Sequence, residues 1–287
     1  MRNTDKLHRY VQWMHNRRFK PNTIRQYTCA LQKFFTWADA DSSRISRECI
    51  QDYIFDVLKG CSTSAQNLSV SSIKSYFRVI EDREFSYFDI PRPKQEKFIP
   101  NILTTKQVRA VIDNTKNLKH RCLLNTIYDN GLRISEVLNL RIIDVRSKAD
   151  NPHLVIREAK HNSARIIPIS EQCVLLIREY YLSTKPKVYL FEGDKPGTRY
   201  SKTSVHKLLD KALKRESIKL RIRVHDLRHA FATHCLEAGM DIYHLSKVLG
   251  HKSVKTTEEY YAHLRTDKIK VVRPALTSDL VKLRIAN

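Results

Sequence analysis

Val224-His225-Asp226-Leu227-Arg228-His229-Ala230-Phe231-Ala232-Thr233-His234 is the stretch on which the reading of this chain turns. His225, Arg228 and His229 stand three and four residues apart, so a helix puts two imidazoles and a guanidinium on one face. Such a face can grip a phosphate. The competing readings are a charged surface helix or a metal site at His225, His229 and His234. The metal reading is weak, because no H-E-x-x-H pattern or nearby carboxylate completes it. The segments around this stretch have to decide.

The 287 residues carry 52 Lys and Arg against 30 Asp and Glu, a formal net charge of +22. The excess is not one basic tail: residues 1–100 hold 17 basic and 11 acidic side chains, and the remainder 35 and 19. A chain basic throughout attracts a polyanion, and nucleic acid is the first expectation. No apolar run approaches the roughly 18–20 residues that span a bilayer, and Met1 to Lys20 lacks the apolar stretch of a signal peptide. Neither a membrane partner nor a small-molecule substrate is expected. The six cysteines, Cys29, Cys49, Cys61, Cys122, Cys173 and Cys235, include no C-x-x-C pair. They are expected to be reduced, mostly buried thiols of a cytosolic protein.

Upstream, four apolar stripes predict a helical bundle. They run through Leu7, Tyr10, Val11 and Met14; through Ile24, Tyr27, Leu31, Phe34 and Phe35 after Pro21 at a helix start; through Ile50, Tyr53, Ile54, Val57 and Leu58; and through Val70, Ile73, Tyr76, Phe77 and Ile80. Arg25, Lys33, Lys74 and Arg78 lie on the polar faces, and Arg25, Lys74 and Arg78 are candidate DNA contacts. Pro91, Pro93 and Pro100 mark a linker. Thr104 and Gln107 have capping-box spacing. A helix through Cys122, Leu123, Ile127 and Tyr128 is expected to stop at Gly131. Leu154 and Ile156, then Ile166, Ile167 and Ile169, predict two short strands around the polar turn Lys160-His161-Asn162-Ser163. Helical texture returns at 171–182, 203–215, 226–238, 243–249 and 256–264. The expected boundaries are a helical DNA-binding domain 1–88, a linker 89–101, a second domain 102–265 and a tail 266–287.

Four separated pieces then stand in order: Gly131-Leu132-Arg133-Ile134-Ser135-Glu136; Lys160 followed by Arg165 and Pro168; His225 to His234; and Leu249-Gly250-His251-Lys252-Ser253 with Tyr260-Tyr261-Ala262-His263. Together they resemble the tyrosine recombinase (phage integrase) family, in its simple two-domain, Xer-like form. The resemblance implies a mainly α fold: a four-helix, SAM-like core-binding bundle, then a mostly helical catalytic domain with a small antiparallel sheet, closing as a clamp on DNA. It implies catalytic roles for Arg133, Lys160, His225, Arg228 and His251. The nucleophile is Tyr261 if the form followed by x-His applies, or Tyr260 if the tyrosine comes nine residues after the histidine. Arg165 joins the candidate DNA contacts.

The chemistry asks for such a set. Attack on a phosphodiester builds charge on two nonbridging oxygens, which two guanidiniums can meet. A phenol of pKa about 10 needs its proton removed, and the departing sugar oxygen needs one delivered. The resemblance makes Lys160 the donor, Arg133 and Arg228 the clamp, and His225 and His251 their neighbours. The expected product is a 3′-phosphotyrosyl bond and a free 5′-hydroxyl. Because that bond conserves the energy of the one broken, no cofactor or metal is expected. The implied partners are double-stranded DNA carrying specific recombination sites and further copies of the chain, as a tetramer on DNA. The tail would dock on a neighbouring protomer. The location would be cytoplasmic, nucleoid-associated when on DNA. A type IB topoisomerase-like nicking-closing enzyme and an inactive DNA-binding relative are the alternatives.

Overall fold

The computed structural model describes residues 3–86, 90, 92, 101–148, 150–157, 164–251 and 253–261, with the backbone alone for 259–261. Two compact units divide at residue 98, Met1–Phe98 and Ile99–Asn287.

In the first unit, α1 (Asn3–Asn16) buries Leu7, Tyr10 and Met14. Lys20 is extended and Pro21 opens α2 (Pro21–Ala38), as a missing N–H and a fixed φ favour. The third stripe behaves differently from a simple helix. After α3 (Arg47–Asp52) the chain widens into a π-helical turn, Tyr53–Val57, closed by Leu58 N–H donating to Tyr53 O at 3.3 Å. The added residue per turn shifts the register. Leu58 stays inside, while Val57, expected in the stripe, is 39% exposed. α4 (Thr63–Ile80), capped by Ser62 Oγ accepting from Ala65 N–H, buries Val70, Ile73, Tyr76 and Phe77. The core of this unit is aromatic, with Phe34, Tyr53, Tyr76 and Phe77 in edge contacts.

The second unit opens with α5 (Thr105–Asp113), where the expected capping box forms: Thr104 N–H donates to Gln107 Oε1 at 2.9 Å, and Gln107 N–H donates to Thr104 Oγ1 at 3.3 Å. α6 (Leu118–Asp129) and α7 (Ile134–Asn139) follow. A three-stranded antiparallel sheet, order β1-β2-β3, comprises β1 (Val145–Arg146), β2 (His153–Ile156) and β3 (Arg165–Pro168). The hairpin register sets Leu154 opposite Ile167 and Ile156 opposite Arg165. β1 was not expected; two residues are too short to leave a pattern. Then come α8 (Glu171–Thr184), α9 (Lys202–Arg215), α10 (Val224–Glu237), α11 (Ile242–Leu249) and α12 (Val254–Tyr261).

The fold class is the expected one, mainly helical with a small antiparallel sheet. The cysteine expectation needs correction: Cys122 and Cys173 are buried, Cys49 and Cys235 half-buried, and Cys29 and Cys61 exposed. Cys29 falls on an outward face of α2, where a small thiol is tolerated without packing. Among the described residues no helix is long and apolar enough to cross a membrane. The tail 266–287 and all of the linker but Ile90, Arg92 and Asn101 lie outside the described residues.

Candidate active site

Two helix ends build the site, and both end in the same way. At the end of α6, Gly131 takes φ +56°, its N–H donates to Tyr128 O at 3.2 Å, and Leu132 N–H donates to Ile127 O at 3.0 Å. At the end of α11, Gly250 takes φ +66°, its N–H donates to Lys247 O at 3.0 Å, and His251 N–H donates to Ser246 O at 3.1 Å. Both are Schellman closures, which need a left-handed residue and leave terminal carbonyls facing outward. Arginines take those carbonyls. Arg228, on α10, donates Nη1 to Gly131 O at 2.8 Å and Nη2 to Leu249 O at 2.7 Å. Arg133 reaches Gly250 O at 3.5 Å. Cations at helix C-termini are favoured by the dipole as well as by the hydrogen bonds.

The glycines matter sterically too. A Cβ at Gly131 would lie 2.4 Å from Phe231 Cδ1, and one at Gly250 would lie 2.8 Å from Arg165 Nη1.

Glu136 lies behind the arginines, its side chain fully buried. It accepts from Arg133 N–H at 2.9 Å and Arg133 Nη1 at 2.7 Å. Arg165 gives it Nη1 and Nη2, each at 2.9 Å, and Arg228 Nη1 lies 3.7 Å away. Burial pushes the Glu136 carboxyl up. The Arg165 hydrogen bonds and charge, with those of Arg133, outweigh that and hold it down at about 2. Three guanidiniums around one carboxylate leave a local charge of about +2, a field suited to an anion.

Arg133 keeps 18% of its side chain open to solvent, whereas Arg228 keeps 3%. His251 Nε2 lies 3.1 Å from Arg228 Nη2, and its Nδ1 lies 2.8 Å from Thr257 Oγ1 on α12. Burial lowers the His251 pKa to about 4, helped by the charges of Arg228, Arg133 and Arg165. The His225 and His229 rings meet edge-on, with centroids 4.6 Å apart. His225 is an exposed residue whose ring rests against His229 and near Arg228. Desolvation there, then His229 and Arg228, lower its pKa to about 4. His234 points elsewhere, its Nδ1 2.8 Å from the Tyr128 hydroxyl. Among the described residues no group of three or more His, Cys, Asp or Glu could hold a metal ion.

Arg133, Arg228 and His251 therefore meet in space, and His225 lies within the electrostatic reach of both arginines. Lys160 lies outside the described residues, as do the side chains of Tyr260 and Tyr261, whose backbone ends α12. Arg165, expected at the DNA, has each of its three nitrogens engaged inside the unit: two on Glu136, and Nε on Val248 O at 2.8 Å. Arg25 and Arg78 are exposed, and Lys74 is half-buried with Nζ donating to Ser86 O at 2.8 Å. Glu136 stands in the Gly131–Glu136 motif, which by itself gives it no role. The available signal was an acid three residues after Arg133, at the third position of a helix, where it can accept the cap N–H.

The profile of the phage integrase family matches residues 101–268, and that of the phage integrase N-terminal SAM-like domain matches residues 7–86. The chain belongs to the phage integrase family. This tyrosine recombinase is 31% identical over 283 residues to the tyrosine recombinase XerA of Pyrococcus horikoshii, covering 96% of each chain. It is 28% identical over 272 residues to a tyrosine recombinase of Thermosipho africanus, covering 90% of this chain and 95% of that one. A lambda integrase dimer bound to a COC′ core site shares the fold with a TM-score of 0.75 at 17% identity, covering 93% of this chain and 80% of that one. The XerH recombinase bound to its difH substrate, before cleavage, gives 0.69 at 18% identity, over 83% and 75%.

Proposed function

We propose that this recombinase breaks and rejoins DNA at specific sites by direct attack of a tyrosine, with each residue in a defined role. Arg133 and Arg228 clamp the nonbridging oxygens of the scissile phosphate. His251 and His225, both neutral, stand beside them as hydrogen-bond partners and proton acceptors. Tyr261, with Tyr260 as runner-up, attacks phosphorus. The P–O5′ bond breaks as the phosphotyrosyl bond forms, and Lys160 protonates the departing 5′-oxygen. Rejoining is the same step reversed by a 5′-hydroxyl, so the exchange consumes no energy source.

What supports this reading most is the sharing of Glu136 by three arginines from three distant segments, with His251 against one of them. Buried guanidiniums held by carbonyls and a carboxylate are pre-aimed, and pre-aimed donors at developing charge are the largest usual contribution to such catalysis.

The front domain, 1–88, grips the duplex through phosphate contacts that include Arg25, Lys74 and Arg78, so affinity falls steeply with salt. The linker 89–101 joins it to the catalytic domain 102–265, and the tail 266–287 docks on a neighbour. Four copies assemble on two DNA sites, acting in the cytoplasm at the nucleoid; the dimer-on-DNA form of the lambda neighbour supports self-association on DNA.

A duplex with a nick one nucleotide from the scissile phosphate tests the core of this. The cleaved fragment diffuses away and traps the adduct. A covalent protein–DNA adduct in EDTA is expected, and its absence from the native chain overturns the reading. Tyr261→Phe is expected to abolish the adduct. Loss with Tyr260→Phe instead assigns attack to the earlier residue.

A further inference from the structure

His251 has two nitrogens, and its neighbours decide which one carries the proton. Arg228 Nη2, at 3.1 Å from Nε2, has only hydrogens to offer. A protonated Nε2 would set N–H against N–H, so Nε2 accepts. The neutral ring then carries its hydrogen on Nδ1, which donates to Thr257 Oγ1 at 2.8 Å. A doubly protonated ring is disfavoured by the three guanidiniums of Arg228, Arg133 and Arg165 around it. Thr257 is fully buried, so water cannot replace it as the acceptor. It also lies on α12, one turn before Tyr260 and Tyr261.

We propose that Thr257 is a positioning residue of the reaction: it fixes the tautomer and plane of His251, leaves the Nε2 lone pair aimed at the arginine cluster, and so ties the tyrosine-bearing helix to the phosphate site. The proposal rests on the reading of His251 as part of the active site. Its chemistry is specific. When Nε2 takes a proton, the Nδ1–H bond to Thr257 is unchanged, so the ring passes from acceptor to donor without turning. A neutral hydroxyl in this place, rather than a carboxylate, orients the ring without raising its basicity.

The test uses the full chain. Long-range 1H–15N correlation with 15N-histidine at pH 7 reads the tautomer directly. Nδ1–H is expected for His251 in the native protein and in Thr257→Ser; in Thr257→Val, where Nδ1–H loses its acceptor, the ring is expected to turn away from Arg228 and to show a mixture of the two tautomers. An Nε2–H ring in the native protein overturns the proposal without any variant. On the nicked substrate, Thr257→Val is expected to slow adduct formation about 10- to 100-fold, the size seen when a metal-bound histidine loses its orienting partner. Thr257→Ser should restore most of that rate, and affinity for uncleaved DNA should be unchanged. In a His251→Ala background Thr257→Val should add no further loss. An equal loss in that background means Thr257 acts by another route and overturns the proposal. If the native chain forms no adduct at all, the recombinase chemistry fails instead, while the tautomer measurement still stands on its own.

Discussion

Arg165 and Glu136 meet face to face, Nη1 on one carboxylate oxygen and Nη2 on the other, each at 2.9 Å. Because Glu136 also holds Arg133 at 2.7 Å, this pair sets the position of the Arg133 guanidinium from behind. It also connects β3 to the start of α7.

Glu136→Gln tests that role. The amide keeps the shape but turns one acceptor into a donor and removes the charge that three guanidiniums share. Breaking a buried ion pair by removing one partner costs about 3–5 kcal/mol, and a loss of that size is expected in urea unfolding at pH 7. The native carboxyl is held at about 2 against an ordinary 4.5. A depressed carboxylate contributes stability above its unfolded value, lost as pH falls through the folded one. Stability should therefore decline between about pH 4.5 and 2, and this part of the acid limb should be missing in Glu136→Gln. A loss under about 1 kcal/mol at pH 7 would mean the arginines find other partners.

Gly131→Ala tests the closure of α6. The substituted residue would keep φ +56° with its Cβ 2.4 Å from the Phe231 ring. The left-handed conformation alone costs about 1–2 kcal/mol, and displacement of the ring adds to it. Since Gly131 O accepts from Arg228, a shift of the turn also moves that guanidinium. The expected outcome is a lower Tm together with slower adduct formation; an unchanged Tm would show that the ring yields freely.

The sequence carries the elements and the site to different degrees. Helices with a cap and a stripe, such as α5 with Thr104 and Gln107, were legible because their signals are local. The π-helical turn at Tyr53–Val57 was not, since its apolar spacing is that of an ordinary helix and only packing selects the wider turn. Arg133, Arg228 and His251, which the structure brings together, stand in motifs that single them out. The inward parts were hidden by their chemistry: Glu136 and Thr257 are ordinary helix residues until distant chain segments supply their partners. Arg165 was read as a cation for DNA because nothing local tells a solvent-facing arginine from one aimed at a buried carboxylate.

The two site histidines give a pH prediction. Burial and neighbouring guanidiniums lower His225 and His251 to about 4. Both stay neutral where a free imidazole, at about 6.5, would charge. Single-turnover adduct formation at constant ionic strength should therefore stay flat from about pH 8 to 5.5 and fall only as pH approaches about 4. The stability linkage has the same sign. The unfolded chain binds protons on these rings below about 6.5 that the folded chain refuses until about 4, so stability drops as pH falls through that window. A rate midpoint near 6.5 would place the rings in an ordinary aqueous setting and contradict the contact of His251 with Arg228.

Lys160 yields the last test, through the leaving group rather than the protein. It stands between Ile156 and Arg165, the paired residues that bound the hairpin connection. Its proposed task is to protonate the 5′-oxygen as the P–O bond breaks. Lys160→Ala should then slow cleavage about 10²- to 10⁴-fold, the usual reach of general acid catalysis. Replacing the bridging 5′-oxygen by sulfur removes the need, because a thiolate leaves without a proton; the free thiol, of pKa about 8.5, is far more acidic than an alcohol. Cleavage of the sulfur substrate by Lys160→Ala should approach that by the native chain, whereas Arg133→Ala, whose proposed task is charge stabilisation at the nonbridging oxygens, should stay slow on both. Equal impairment of Lys160→Ala on oxygen and sulfur substrates would remove the lysine from proton transfer and leave it a phosphate contact.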